Sequence, residues 1–122
     1  MESVAVVATD RAERYGKQLV GHMSRKISGE WTGQSGYLDF NGRGRVELSA
    51  GADSLKLELI SDDSETERLE EIVGVHLARF GSKDGMSVAW NRKSSEAGTV
   101  QGPYSEEDMK AFAEARKARR KA

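Results

Sequence analysis

The sequence predicts a two-layer α+β sandwich, and three observations carry the prediction. Two stretches show apolar residues at helical spacing, the segment between them alternates with a period of two, and glycine-bearing turns punctuate that segment. The expected order is β-α-β-β-β-β-α-β, a pseudo-repeat with two helices on one face of a mainly antiparallel sheet, plus an additional C-terminal helix. At 122 residues the chain is long enough for one core and too short for two. Residues 1–92 are expected to form a single α+β domain, and 93–122 a linker and a basic amphipathic helix.

Val4-Ala5-Val6-Val7-Ala8 is apolar at every position. That pattern predicts a central strand covered on both faces. Asp10 reads as a helix cap with Glu13 at the reciprocal position, and Ala12, Tyr15, Leu19 and Met23 form an apolar stripe, predicting a helix from Arg11 to Arg25. Gly16 falls on the apolar side of this helix, where a missing side chain allows close approach to the sheet. Gly21 falls opposite, with no evident role. From Ile27 to Ile60 the alternation marks four short strands: around Trp31, then Leu38 and Phe40, then Val46 and Leu48, then Leu55, Leu57 and Leu59. Gly33 to Gly36, Asn41 to Gly44 and Gly51 to Asp53 supply the turns. Ser64 is expected to cap a second helix from Glu65 to Phe80, its acidic start favoured by the helix dipole. Met86 to Trp90 reads as the closing strand. Lys93 to Pro103 is polar and reads as a linker. The Tyr104 to Asp108 segment caps a third helix, whose small apolar stripe of Met109, Phe112 and Ala113 is expected to dock on the open face of the first strand or on another subunit.

Nineteen Lys and Arg stand against twenty Asp and Glu, so no global field draws the chain to nucleic acid or anionic lipid. Cysteine is absent, which removes disulfides and thiolate chemistry. The longest apolar run falls well short of a membrane span, and a cytoplasmic setting is expected. No nucleophile elbow, phosphate loop, zinc-protease motif or dinucleotide fingerprint is present, so an enzyme is the least favoured class.

The two histidines are the best handle on a site. Asp10 to Arg25 and Ser64 to Arg79 align with Glu13/Glu67, Arg14/Arg68, His22/His76 and Arg25/Arg79 identical. Helical phase places His76 in the middle of the second stripe, predicting an interior position, and His22 at the margin of the first, beside Tyr15 and Gln18. The first reading is structural: buried imidazoles satisfied by a carbonyl or carboxylate. A second has both histidines donate to a metal or haem iron, with Tyr15, Arg14 and Arg68 beside them. The arginines on the helix flanks, Arg25 and Arg79 among them, read as a solvated face or as an anion site. Trp31, Trp90 and Tyr37 read first as core. The basic run Arg116, Lys117, Arg119, Arg120 and Lys121 complements the helix dipole or contacts a partner.

Ala8 to Leu19 with His22 close behind, Gly36 to Phe40, Arg45 to Leu48, Leu69 to Val73 with His76 to Phe80, and Val88 to Trp90 together resemble the bacterial family catalogued as domain of unknown function 2218. The resemblance spans Ser3 to Trp90 and leaves the C-terminal helix as an addition. It implies a compact α+β domain, and its setting near iron-uptake genes in some bacteria implies a link to iron or haem. The family carries no established activity, so no catalytic residue transfers. The expected function is a non-enzymatic small-ligand-binding or accessory domain, cofactor unknown, in a monomer or homodimer. The alternative is an interaction module whose basic helix contacts a protein or, less favoured, nucleic acid.

Overall fold

The computed structural model describes residues 1–94 and 96–121, the side chains of 120 and 121 excepted. Its elements are β1 (Glu2–Ala8), α1 (Ala12–Met23), β2 (Ser28–Thr32), β3 (Ser35–Asp39), β4 (Gly44–Ala50), β5 (Ser54–Ser61), α2 (Thr66–Phe80), a 3-10 turn (Ser82–Asp84), β6 (Val88–Arg92), β7 (Ala97–Gln101) and α3 (Glu106–Lys121). The strands form one sheet in the order β2-β3-β4-β5-β1-β6-β7, and every pairing is antiparallel. This is the α+β sandwich the alternation predicts, with one strand more.

β1 is central because both its edges are taken: Glu2 to Ala8 pair with Ile60 to Ser54 of β5, and Ser3 to Ala5 with Arg92 to Trp90 of β6. Ala5, Val7, Leu38, Val46, Leu48, Leu57, Leu59, Val88 and Trp90 point to one side, where Leu19 and Val20 of α1 and Leu69, Val73 and Leu77 of α2 close the core. The second face of β1 is not covered, contrary to the all-apolar pattern. Val6 is 62% exposed, and Ile60, farther along the same face opposite Glu2, is 54% exposed. Ion pairs Arg45–Glu47, Lys56–Glu58 and Lys93–Glu2 dress this open face, so its apolar side chains are interspersed with charge.

The third helix does not reach that face. α3 packs beside α2, with the Arg79 guanidinium 4.8 Å above the Phe112 ring and Tyr104 5.0 Å from the same ring. Its start is a reciprocal capping box: Ser105 Oγ accepts from Asp108 N–H at 3.1 Å, and Asp108 accepts from Ser105 N–H at 2.9 Å. The other two caps are corrected. The cap positions of α1 and α2 are Arg11 and Glu65, neither with a side-chain bond. Asp10 and Ser64 each lie one residue too early, and Thr9 Oγ1 instead accepts the Arg11 N–H. The stretch read as a linker holds β7, paired with β6 across a bulge near Ala89 and Asn91. Ser95 of that stretch lies outside the described residues.

Gly16 performs the role its position predicts. A Cβ there would overlap the Trp31 ring, which β2 lays against α1. Nothing lies within 4 Å of a Cβ built on Gly21.

Candidate functional site: a histidine-bearing cationic cleft

The C-terminal halves of α1 and α2 bring the two histidines together, with ring centroids 5.2 Å apart and planes tilted by 42°. Phe80 completes a three-ring cluster, standing edge-on to His22 at 5.6 Å and 6.5 Å from His76. His22 is exposed, as its marginal phase predicts. His76 is half-buried rather than interior. Val73 and Leu77 take the sheet-facing positions of α2, and His76 turns toward the gap between the helices.

Nδ1 of His76 lies 2.7 Å from the Ile72 carbonyl oxygen. A carbonyl only accepts, so Nδ1 carries a proton, and in the neutral ring the lone pair falls on Nε2. The His22 imidazole is pushed below its ordinary value, first by burial and then by the neighbouring His76, Arg25, Lys26 and Arg116. The His22 ring is thus disposed toward the neutral form, in which imidazole donates to a metal.

These rings form part of a cleft of roughly 830 Å³ between α1, α2 and α3. Met23, Ile72, Phe80, Met109 and Phe112 supply apolar wall, and Arg25, Lys26, Arg79, Arg116 and Arg119 supply five cations. Among the described residues lining it, none is acidic. Nor do three His, Asp or Glu side chains converge as a metal cage anywhere among the described residues. The volume is that of a small-molecule site. Its chemistry favours a ligand with an apolar body and negative charge.

The sequence-derived candidates divide. His22 and His76 share the cleft, and Arg116 and Arg119 line it. Lys117 is exposed elsewhere on α3, and the side chains of Arg120 and Lys121 lie outside the described residues. Arg14 and Arg68 are exposed and do not line the cleft; Arg25 and Arg79, from the same repeat, do. Tyr15 is buried at another place, donating to Asp84 Oδ2 at 2.5 Å, and this bond, followed by burial, raises its pKa. Arg11 lies 4.0 Å from the same carboxylate.

One group passed over in the sequence is Glu70, whose side chain is fully buried. Arg92 donates to both its oxygens at 3.0 and 3.2 Å, Ser3 Oγ donates at 2.6 Å, and the backbone N–H and hydroxyl of Thr99 each donate at 3.1 Å. Gln101 extends the network to Thr99 and to the Trp90 indole. No cavity adjoins these groups among the clefts described, and their role is to fasten β7 and α2 to β1 and β6. Helical phase held the signal: Thr66, Glu70, Val73 and Leu77 lie on one line down α2.

The fold and cleft together define a small α+β domain with a ligand-sized, positively charged pocket. The chain belongs to the family described as an uncharacterized protein conserved in bacteria (DUF2218), whose model matches residues 4–91. It is also similar to the NMR structure of PA4090 from Pseudomonas aeruginosa, with a TM-score of 0.63 and 29% identity over 78% of this chain and 98% of that one. Comparison with curated proteins yields no match. No helix among the described residues is long and apolar enough to cross a membrane.

Proposed function

We propose that this protein is a non-enzymatic binding domain that holds an amphipathic anion in the His22–His76 cleft, and that haem is the ligand to which the cleft is suited. The observation that carries this reading is the combination of two adjacent imidazoles, apolar walls and five cations, with no carboxylate among the described lining residues. A bare divalent cation would be repelled by those cations. Haem brings its own carboxylates for the guanidiniums, an apolar macrocycle for Ile72, Phe80, Met109 and Phe112, and an iron that accepts an imidazole nitrogen.

His76 is the iron donor in this reading. Its Nδ1–H bond to Ile72 fixes the ring and leaves Nε2 free, the arrangement that orients metal-binding histidines generally. His22, whose ring centroid lies 5.2 Å from that of His76, would lie beside the bound group and help to hold it. Arg116 and Arg119 turn toward the cleft, which supports ligand binding over use of the basic helix as a partner surface. The reading takes the protein to be cytoplasmic and a monomer or homodimer.

Haemin titration followed by absorbance tests it. The expected result is a saturable, red-shifted Soret band with the wild-type protein, lost in His76→Ala and retained with altered intensity in His22→Ala. Saturation should also raise the melting temperature, because a ligand at 100 times its Kd adds about 2.7 kcal/mol to the native state. An unchanged spectrum, or the same band in the His76 variant, refutes the assignment.

A further inference from the structure

We propose that α3 is the specificity-determining cover of the cleft, setting which end of the ligand lies where; this rests on the ligand-binding reading above. α3 lies beyond the residues that the family model matches. Its cleft-lining residues, Met109, Phe112, Arg116 and Arg119, recur at spacings of three and four and so form one stripe on the helix.

The stripe changes character along its length. Its N-terminal half is apolar, and Phe112 is held by Tyr104 and by the Arg79 guanidinium. Its C-terminal half is cationic, and Arg116 is close enough to His22 to lower its proton affinity. The opposite wall is mixed: α2 contributes Ile72, Arg79 and Phe80, while Arg25 and Lys26 follow the end of α1 and add cations there. An elongated or flat ligand would therefore lie with its apolar body against Met109 and Phe112 and its carboxylates between Arg116, Arg119 and the end of α1. Without α3 the domain keeps both histidines but loses one wall and two of its five cations.

The cover is lightly held. Met109 and Phe112 are half-buried, and the remaining described side chains of α3 are exposed. A helix that buries so little can lift to admit a ligand and settle upon it. Bound ligand should then slow amide exchange along α3.

Two double variants in the full chain separate the halves of the stripe: Arg116→Gln with Arg119→Gln, and Met109→Ala with Phe112→Ala. The residues concerned are exposed or half-buried, and unfolding curves establish that each variant is folded. The first variant is expected to bind haemin at least tenfold more weakly and to lose most of the salt dependence of binding. The second is expected to bind at least tenfold more weakly with the salt dependence intact. Hydrogen exchange on the wild-type protein should show α3 protected on haemin addition. Wild-type affinity in both variants, with no added protection of α3, overturns the role of the helix while the cleft reading stands. Absence of haemin binding by the wild-type protein overturns both.

Discussion

Removing the carboxylate of Glu70 should be among the most damaging single changes available to this fold. Glu70 is fully buried, and burial alone pushes its pKa up. Hydrogen bonds from Arg92, Ser3 and both Thr99 donors outweigh that effect and hold the carboxyl below its ordinary value. Glu70→Ala strips those four groups of their shared acceptor. Breaking a buried ion pair by deleting one partner costs about 3–5 kcal/mol. The Arg92 side chain left behind is 19% exposed and can be partly rehydrated, which argues for the lower end, about 3 kcal/mol. Against a total stability of about 5–15 kcal/mol this is a large fraction. Glu70→Gln should cost less, since it keeps one carbonyl acceptor while presenting an amide N–H₂ to neighbouring donors.

The pH dependence separates loss of charge from loss of packing. Because the folded pKa is depressed, the Glu70 contribution is fully present above the unfolded value of about 4.3 and is lost as pH falls through the folded value. The stability gap between wild type and Glu70→Gln should therefore be widest at neutral pH and narrow in acid. Urea unfolding of the three proteins at pH 7 and at about pH 3.5, with the m-value as a check on two-state behaviour, measures this directly. A cost below about 1 kcal/mol for Glu70→Ala at pH 7, or a gap that does not change with pH, would refute the argument.

Two further outcomes are expected. Gly16→Ala forces a methyl into the Trp31 ring and should destabilise by about 1–3 kcal/mol, whereas Gly21→Ala meets open space and should stabilise α1 by up to about 1 kcal/mol; paired urea curves showing the same sign for both would contradict the packing described. His22 should titrate below the ordinary histidine value by NMR, and His76→Ala or Arg116→Gln should each move it upward, because each removes a group that lowers it. Since the depressed folded value means that the unfolded chain binds the proton first, His22 should reduce stability as pH falls below about 6.5; an upward-shifted titration in the wild type would contradict the placement.

Much of this architecture is legible as periodicity. α1, α2 and the four-strand meander follow from apolar spacing, and Gly16 was informative because it interrupts a stripe that a side chain should fill. β7 escaped detection for a physical reason. Its inward residues, Thr99 and Gln101, are polar and are satisfied by Glu70 and Trp90, so no alternation of hydropathy marks them. Helical phase puts Glu70 on the buried line of α2, but hydropathy reads its carboxylate as an interruption until its donors, from β1, β6 and β7, are brought beside it. The open face of β1 is not legible from hydropathy because valine on a sheet surface looks the same as valine in a core; only the position of α3 distinguishes them.

The repeat behaves in the same divided way. It correctly aligned the two histidines and the arginines that follow them, Arg25 and Arg79, while Arg14 and Arg68 occupy exposed positions away from the cleft. Helical phase treats each helix alone, so it assigned His76 to the sheet and His22 to the margin. What joins them is the meeting of the two C-terminal halves, a tertiary fact, and what makes the junction a cleft is a third helix outside the family's matched span. The pseudo-symmetric pair thus supplies matching imidazoles, and the added helix breaks the symmetry by giving the space between them an apolar end and a cationic one. A symmetric two-histidine gap would favour a compact ion; an asymmetric one favours a ligand with a body and a charged end, and that asymmetry is the physical basis for preferring haem to a bare metal here.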